Sequence, residues 1–374
     1  MPPDDAASVD LDVLALGELL VELVATGPGV VAASTNFTRT PGGAPANVAA
    51  GVARLGRRAA LIGLVGDDSF GRYLVNTLQS YGVDTRYVGF HTRGRTPVAF
   101  VGRKAHPPSG PGEAGPAPGA AEPPDTQAIY YREGGADQLL SPAWVPAEGL
   151  RRARILVVGG VALASALPRA ALHAAVAGAV EVGALVAFDV NWQPALWHYP
   201  ERARDLYHAV LPQVDILQIS TAELIMLTGG AASSEEGRLD GLLRAWVARL
   251  VAGRTRPLLL ALTRGAAGCT YGLWRPGGGF EVAHRAACAI PVKDRTGAGE
   301  AFLAGLLVAL LDRLAPDPDA AGHLDLGRLT IADIAAIFAW ANASGALATT
   351  RRGAITALPG RTTVLRLLKG GRAP

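Results

Sequence analysis

The sequence predicts an α/β fold: a doubly wound, mainly parallel central sheet with helices on both of its faces. First, 49% of the 374 residues are hydrophobic and only 18% are charged, so the chain can bury a large apolar core. Second, aromatic residues make up only 6% of the chain, which suits aliphatic side chains packed between helices and a parallel sheet. Third, from residue 155 onward, short apolar runs alternate with helical segments, as in parallel strands joined by crossover helices.

The first part of the chain predicts two strand–helix units followed by shorter strands. A strand-like apolar run covers residues 11–23 and contains Gly17 and Glu18. Periodicity and turn residues then predict a helix at 42–55, a strand at 59–65, a helix at 70–79, and half-buried antiparallel strands near 86–90, 97–103 and 127–132.

The small strands are interrupted by a Pro/Gly/Ala-rich tract at residues 104–126, which cannot bury enough apolar surface to order itself. We interpret it as a flexible insertion between two strands of a small antiparallel sheet. That sheet, from about 20–40 and 85–135, would form a β lid on a single domain covering residues 8–365. The apolar alternation of the lid strands suggests a homodimer formed through the lids.

The second half of the chain carries the alternation that defines the parallel sheet. Strands are predicted at 155–158, 185–190, 215–219 and 257–262, with two hairpin strands between 268 and 290; helices are predicted at 169–182, 201–211, 222–227, 239–251, 297–314 and 331–349. Ligands of such sheets bind outside the carboxyl ends of the strands, so the loops that follow the strands are the places to seek chemistry.

Charge and cysteine usage exclude several functional classes. The net charge is only +3, and the densest basic group is Arg151, Arg152 and Arg154, so no clustered nucleic-acid footprint is present. Cys269 and Cys288 form neither a disulfide framework nor a metal-binding pattern, which fits a reducing cytoplasm. The longest apolar stretch, 155–167, is too short to span a bilayer, so we expect no membrane association.

The most informative segment is the glycine-rich stretch from Asp294 to Phe302, directly before a strongly apolar helix. Glycines permit a tight turn, and the N-terminus of a helix favours an anion. Glu300 in the first turn would place a carboxylate beside that anion, as phosphoryl transfer to a hydroxyl requires. The structural alternative is a glycine-rich helix start with a capping glutamate.

This segment resembles the D-T-x-G-A-G-D-x-F motif of PfkB carbohydrate kinases, a family with a ribokinase-like fold. Other segments follow in the family's order over roughly residues 10 to 360. They are the G-G-x-x-x-N-like segment 41–47, the G-x-x-G-x-D-x-x-G-like segment 63–71, the D-x-N-like turn 189–191, the N-x-x-E-like segment 220–223, the T-x-G-like loop 263–265, and the last helix with Asn342 and residues 345–355.

The resemblance implies a role for each of these motifs. The residues implied to bind the sugar are Glu22, Gly42, Gly43, Asn47 and, from a Y-Y-R stretch, Arg132. The residues implied in catalysis are Glu300 as base and Gly297, Ala298 and Gly299 as the anion hole. The residues implied on the nucleotide side are Asn191, Glu223, Thr263, Gly265 and Asn342. Glu223 would hold Mg²⁺ through water, and Asp294 would hold a monovalent cation such as K⁺.

The chain also departs from the family pattern. Glu300 stands in place of the catalytic Asp, Arg295 in place of a Thr, and Gln193 in place of an Arg. Glu22 stands where many relatives carry an Asp. A carboxylate misplaced by ~1 Å can cost about 100-fold in rate. The departures therefore leave open a second hypothesis, a PfkB-fold pseudokinase that acts as a binding or assembly module.

The sequence thus predicts an ATP- and Mg²⁺-dependent kinase of a small sugar, with fructose ahead of 2-keto-3-deoxygluconate. The sequence lacks the motifs of two other classes of nucleotide-binding protein. No G-x-G-x-x-G follows the first strand, as a nicotinamide-dependent dehydrogenase would require, and no P-loop G-x-x-x-x-G-K-[ST] is present.

Overall fold

The computed structural model describes residues 9–26, 31–103, 126–230, 236–314 and 323–371. The predicted insertion at 104–126 therefore lies, except for Thr126, outside the described residues. The strands are β1 (Leu11–Leu16), β2 (Leu20–Ala25), β3 (Phe37–Gly42), β4 (Ala59–Gly66), β5 (Val88–His91), β6 (Val98–Arg103), β7 (Thr126–Tyr131), β8 (Ala153–Gly159), β9 (Leu185–Asp189), β10 (Ile216–Ser220), β11 (Leu258–Thr263), β12 (Cys269–Trp274) and β13 (Phe280–Arg285).

The α-helices join these strands and close the chain. They are α1 (Ala44–Arg54), α2 (Ser69–Ser80), α3 (Ala147–Arg152), α4 (Ala166–Glu181), α5 (Ala203–Val210), α6 (Thr221–Thr228), α7 (Glu236–Leu250), α8 (Ala298–Leu311), α9 (Ile331–Ala348) and α10 (Arg361–Leu368).

The large sheet confirms the predicted doubly wound architecture. Its strand order is β13-β12-β11-β10-β9-β8-β1-β4-β5. Pairing is parallel from β5 to β11, and only β12 and β13 run antiparallel at one edge. Apolar clusters cover both faces of the sheet. This two-sided burial explains why strands such as β4 are continuous apolar runs rather than alternating ones.

The small sheet has the order β3-β2-β6-β7 and confirms the second, smaller sheet that the sequence predicts; its role as a lid stays a prediction. Its two outer pairings are antiparallel as expected, but β2 and β6 pair in parallel. The parallel pairing has a topological reason: β2 follows β1 and β6 follows β5, and both leave the same carboxyl edge of the large sheet.

Two predicted strands are corrected by this arrangement. The run 11–23 is two strands in different sheets, because the chain turns at Gly17, where a Cβ would lie 2.5 Å from the Pro45 ring. The segment near 86–90, expected in the lid, is β5 and pairs in parallel with β4 in the large sheet. The side chains of β5 alternate between more buried and more exposed positions, because β5 is an edge strand with one face partly exposed. The same alternation is typical of half-buried antiparallel strands, so the sequence pattern alone favours the wrong pairing.

Helix α8 is the central helix of one layer and is buried from Ala301 to Leu311. Its neighbours approach closely at small residues. A Cβ on Gly305 would lie 2.6 Å from Cβ of Ser344 in α9, and a Cβ on Gly51 of α1 would lie 2.7 Å from Cβ of Ala304. These contacts fix α8, and therefore the position of its first turn, against α1 and α9.

Among the described residues, helix α9 is long and apolar enough to cross a membrane, but 61% of its residues are buried inside the protein. Its contacts with α8 are those of a core helix.

The close packing of α8 against α9 predicts opposite effects for two glycine-to-alanine substitutions. Gly305→Ala should lower the free energy of unfolding by about 1–3 kcal/mol, because the added methyl overpacks against α9. Gly241→Ala lies at an exposed position of α7 with no atom within 4 Å of the new Cβ, and should raise the same quantity by about 0.5–1 kcal/mol. Urea unfolding measures both; equal effects would contradict the packing argument.

Candidate active site

The first turn of α8 begins at a backbone position that requires glycine. Gly297 adopts φ +78°, and a Cβ there would lie 2.7 Å from Cα of Ala354. Ala298 and Gly299 follow in the first turn, and the Ala298 N–H donates to the Arg295 carbonyl at 3.2 Å. The first amides of a helix point away from its body and carry partial positive charge, so the amides of this turn that follow Ala298 can hold an anion.

Asp294 fixes the loop that leads into this turn. One carboxylate oxygen accepts from the Thr296 N–H at 3.0 Å and from the Thr296 hydroxyl at 2.8 Å. The other accepts from the Gly353 N–H at 3.0 Å. Asp294 therefore joins the loop before α8 to the loop after α9, and both loops hold the start of α8 in one orientation.

Glu300 lies beside this turn and contacts the start of α1. The amide Nδ2 of Asn47 donates to Glu300 Oε1 at 3.4 Å. Burial raises the pKa of Glu300, while its own backbone N–H and the Asn47 amide oppose the shift. Asn47 is buried, and its Oδ1 has no hydrogen-bond partner among the described residues. The structure thus joins two motifs separated by 253 residues.

Glu22, on β2 of the small sheet, is a second carboxyl group close enough for the charge of Glu300 to act on it. Burial, followed by the negative charges of Glu300 and Asp294, raises the pKa of Glu22 to about 7. Its Oε2 is buried, and no described residue hydrogen-bonds to it. Gly42 is opposite on β3, where a Cβ would lie 2.6 Å from the Glu22 carboxyl carbon, so glycine leaves the space that Glu22 occupies.

Glu18 is a buried site carboxyl that sequence reasoning did not select. Its Oε1 accepts from the Ala44 N–H at 3.0 Å, and a Cβ on Gly43 (φ +110°) would collide with the Glu18 carbonyl oxygen. Burial raises the pKa of Glu18, although the charge of Arg132 opposes this. The signal that could have found it was a charged residue within the apolar run 11–23.

Arg132, predicted to meet the substrate, is buried in an ion pair with Asp137. Its Nε donates to Asp137 Oδ2 at 2.7 Å, and a second guanidinium nitrogen contacts the same oxygen. Burial works against the charged form, but the negative charges of Asp137 and Glu18 outweigh it and raise the pKa of Arg132.

Tyr130, the first tyrosine of the Y-Y-R stretch, is a second residue that sequence reasoning missed. Burial, followed by the charges of Glu22 and Glu18, raises the pKa of Tyr130 to about 12. Tyr131 is instead 65% exposed on the other face of β7. Strand alternation, applied in the correct register, would have distinguished the two tyrosines.

Glu223 ties together two of the predicted nucleotide loops. Its Oε1 accepts from the Trp192 N–H at 2.8 Å and its Oε2 from the Ser220 N–H at 2.6 Å, within a capping box at the start of α6. Burial raises the pKa of Glu223, and these backbone bonds oppose the shift. Asn191, between β9 and Trp192, is the non-glycine residue with positive φ (37°) in the described chain.

The remaining predicted nucleotide residues lie on neighbouring elements of the same edge. Thr263 ends β11 and donates its hydroxyl to the Ile219 carbonyl at 3.3 Å. Gly265 has φ +55°, and a Cβ there would meet no described atom within 4 Å, so the space beside it is open. Asn342 on α9 is 7% exposed and donates to the Ala286 carbonyl at 2.6 Å.

These residues form two adjoining groups at the carboxyl edge of the large sheet. The first, around Glu22, Asn47 and Glu300, presents oxygen atoms that can accept from hydroxyl groups. The second follows β9, β10 and β11 and leads to the anion-favouring turn of α8. No cluster of three or more His, Cys, Asp or Glu side chains suited to direct metal binding occurs in the part of the chain described above.

Comparisons with known proteins agree on one family. The family model described as "pfkB family carbohydrate kinase" matches residues 10–106 and 120–361. A probable fructokinase-3 of Arabidopsis thaliana is 34% identical over 358 residues, which is 96% of this chain and 91% of that protein.

Two solved structures extend this similarity. A fructokinase with bound ATP from Xylella fastidiosa has a TM-score of 0.77 and 26% identity, with 96% of this chain and 98% of that one covered. A fructokinase from Vibrio cholerae O395 in a form with fructose, ADP and calcium ion has a TM-score of 0.73 and 29% identity, with 97% and 100% covered.

The carboxyl of Glu22 should make stability depend on pH. Its pKa is about 7 in the folded protein against an ordinary value of 4.5, so the folded state binds the proton more tightly. The resulting stabilisation is fully present below the ordinary value and is lost as pH rises through about 7. Between about pH 5 and about pH 8, the free energy of unfolding should fall more in the wild type than in Glu22→Gln, by on the order of 3 kcal/mol.

Urea unfolding across this pH range checks the difference, with Glu201→Gln, a substitution at an exposed carboxylate, as the matched control. Parallel curves for the wild type and Glu22→Gln would show that Glu22 does not titrate in this window.

Proposed function

Because this chain belongs to the PfkB family of carbohydrate kinases and is an ATP-dependent sugar kinase, we propose that its substrate is a neutral ketose, with fructose preferred. The observation that carries the proposal is the contact between Asn47 and Glu300 beside the first turn of α8. It places a hydrogen-bonding amide, a carboxylate and an anion-favouring turn together, which are the groups that phosphoryl transfer to a hydroxyl needs.

Glu300 is proposed as the general base. The sugar hydroxyl gives its proton to the Glu300 carboxylate, its oxygen bonds to the γ-phosphorus, and the bond from that phosphorus to the β,γ-bridging oxygen breaks to release ADP. The raised pKa of Glu300 makes it a stronger base than an exposed glutamate. The turn formed by Gly297, Ala298 and Gly299 would stabilise the charge of the transferred phosphoryl group.

The change from Asp to Glu is accommodated by Asn47. The longer side chain reaches Nδ2 of Asn47 at 3.4 Å, so a hydrogen bond restrains the added methylene. This contact supports an active kinase over the pseudokinase hypothesis, because a binding module needs no restrained base beside an anion-favouring turn.

The charged side chains around Glu22, Asn47 and Glu300, where the sugar is proposed to bind, support a neutral sugar over a sugar acid. Glu18, Glu22 and Glu300 contribute carboxyl groups there, and the guanidinium of Arg132 is already paired with Asp137. The unpartnered Glu22 Oε2 and Asn47 Oδ1 call for hydroxyl donors. Because the Arg132 guanidinium is already paired, none of these groups would form an ion pair with the carboxylate of 2-keto-3-deoxygluconate, and this supports fructose, the sugar bound by the Vibrio cholerae structure.

The nucleotide would lie across the loops after β9, β10 and β11. Thr263 and Gly265 are proposed to line the phosphates, Asn191 to contact them, and Asn342 to lie near the adenosine. When bound, Mg²⁺ would neutralise phosphate charge, and Glu223 would hold its water shell with the lone pairs that its two backbone bonds leave. Asp294 retains lone pairs in the same way for a monovalent cation such as K⁺.

Turnover assays test this proposal. Purified protein with MgATP should release ADP in the presence of fructose, and with a lower kcat/KM in the presence of 2-keto-3-deoxygluconate or ribose. Glu300→Gln and Glu300→Ala should lower kcat by about 100-fold or more, because the base is removed. Glu201→Gln, on the exposed surface, should retain wild-type turnover.

The outcomes separate the two hypotheses. An inactive wild type together with an active Glu300→Asp variant would establish a pseudokinase. A higher kcat/KM with 2-keto-3-deoxygluconate than with fructose would overturn the argument from charge.

We also propose a homodimer through the outer faces of the lids. On β7, Ile129 is 37% and Tyr131 is 65% exposed, and the Tyr131 ring packs edge-on against Phe100 at 5.6 Å. Phe37 packs against Phe100 in turn, at 5.3 Å. Together these side chains form a contiguous apolar surface on a small sheet, the kind of surface that a partner covers.

Sedimentation velocity tests the dimer. Tyr131→Glu should convert a dimer into a monomer, because it places a charge in the apolar interface. Ile331→Glu, at a residue that is 80% exposed on α9, is the matched control and should leave the oligomeric state unchanged. A wild-type monomer at micromolar concentration would overturn the proposal.

A further inference from the structure

Gln218 is a buried polar residue between the two groups of the candidate site. It lies in β10, is 3% exposed, and is the direct register partner of Asp189 on the parallel strand β9. Its amide nitrogen Nε2 donates to Asp189 Oδ1 at 3.3 Å and to the Gly299 carbonyl at 3.1 Å. Most residues in the middle of a parallel sheet are apolar, and the polar atoms of a buried glutamine there need hydrogen-bond partners. One of the partners of Gln218 belongs to α8.

The orientation of this amide follows from its partners. A backbone carbonyl can only accept, so the group that faces Gly299 must be the NH₂ and not the carbonyl of Gln218. That leaves Oε1 of Gln218 buried, with no hydrogen-bond donor for it among the described residues. The side chain therefore retains an unfavourable unpaired oxygen while both donor contacts are directed at Asp189 and the first turn of α8.

The bond to Gly299 acts on the peptide group that leads into Glu300. The carbonyl of Gly299 and the N–H of Glu300 belong to the same planar unit, so restraining one end of the unit restrains the other. A hydrogen bond to the carbonyl also polarises the N–H at the opposite end. Gln218 therefore helps to orient the Glu300 N–H and the backbone from which the Glu300 side chain extends.

We propose that Gln218 is a positioning residue for phosphoryl transfer, acting through the Gly299–Glu300 peptide. It holds the first turn of α8 against the end of β9, so that the amides of the turn and the carboxylate of Glu300 meet the γ-phosphate and the sugar hydroxyl together. This rests on the proposed kinase function of the site. Gln218 itself contacts neither substrate in this role.

Asp189 is the other fixed point of this connection. Burial raises the pKa of Asp189 well above its ordinary value, the charges of Glu223 and Glu300 raise it further, and the Gln218 amide opposes the shift. Asp189 is followed by Val190, whose N–H donates to the Gln218 carbonyl at 3.1 Å. Backbone and side chain of Gln218 thus both hold the end of β9, while Nε2 reaches α8.

Two substitutions test the role. Gln218→Leu keeps the approximate volume and removes both donor contacts. Gln218→Glu keeps the shape but replaces the NH₂ group by a carboxyl oxygen, which opposes the Gly299 carbonyl when ionised and can donate only one of the two hydrogen bonds when protonated. Both should lower kcat for fructose about tenfold or more at neutral pH, with KM for fructose changed less than about twofold.

The pH profile supplies a readout that a purely structural role would not move. In Gln218→Glu, acidification protonates the introduced carboxyl and restores one donor, so its activity relative to wild type should rise as pH falls. Gln218→Leu should show no such recovery. Gln79→Leu, which removes an amide hydrogen bond to Thr85 at an exposed position on α2, is the matched control and should keep wild-type kcat.

Nucleotide binding distinguishes failure of this inference from failure of the kinase proposal. By calorimetry, the wild type should bind ATP more tightly than ADP, because the first turn of α8 meets the γ-phosphate, and Gln218→Leu should lose that difference while its affinity for ADP stays constant. A wild type without turnover that still shows the ATP preference would contradict only the kinase proposal. Unchanged kcat in Gln218→Leu, or an unchanged ATP preference, would overturn the role of Gln218.

Discussion

The burial of carboxyl groups at one edge of the large sheet is the constraint on which the rest of the site depends. Glu18, Glu22, Asp189, Glu223 and Glu300 all have pKa values raised by burial. Removing such groups from water is costly unless hydrogen bonds compensate. Except at Glu22, whose Oε2 has no partner among the described residues, the compensation comes from backbone N–H groups at Ala44, Trp192 and Ser220 and from the side-chain amides of Asn47 and Gln218.

Most of these bonds join segments that are far apart in the sequence, so the carboxyl groups also organise the loops around them. Glu18 holds the start of α1, and Glu223 holds the turn after β9 to the start of α6. Asp294 holds the loop before α8 to the loop after α9. A site arranged in this way is oriented before a ligand arrives, and preorganised groups are the ones that stabilise a transition state effectively.

Close backbone approach is the second requirement. Gly42 leaves room for the Glu22 carboxyl, Gly43 passes the Glu18 carbonyl, and Gly297 turns against Ala354. A side chain at any of the three would displace the Glu22 carboxyl, the backbone at Glu18 or the start of α8. The glycines that the motifs share are therefore explained by their contacts. Glu22 and Tyr130 belong to the small sheet, whereas Asn47 and Glu300 belong to helices that cover the large sheet. Movement of the small sheet would therefore carry Glu22 and Tyr130 toward or away from Glu300.

The sequence by itself determined the architecture, the family and the set of motif residues, because apolar periodicity and glycine-rich turns are local properties of the chain. Asn47 and Glu300 could be named from their motifs, but only the tertiary structure decided that they touch. Glu18, Tyr130 and Gln218 escaped sequence reasoning because each lies inside a strand or strand-like run, where local pattern does not reveal which partner a buried polar group meets. Likewise, the division of residues 11–23 between two sheets and the pairing of Arg132 with Asp137 depend on contacts across the fold, and hydrogen bonds and charge burial are set by distance in space rather than along the chain.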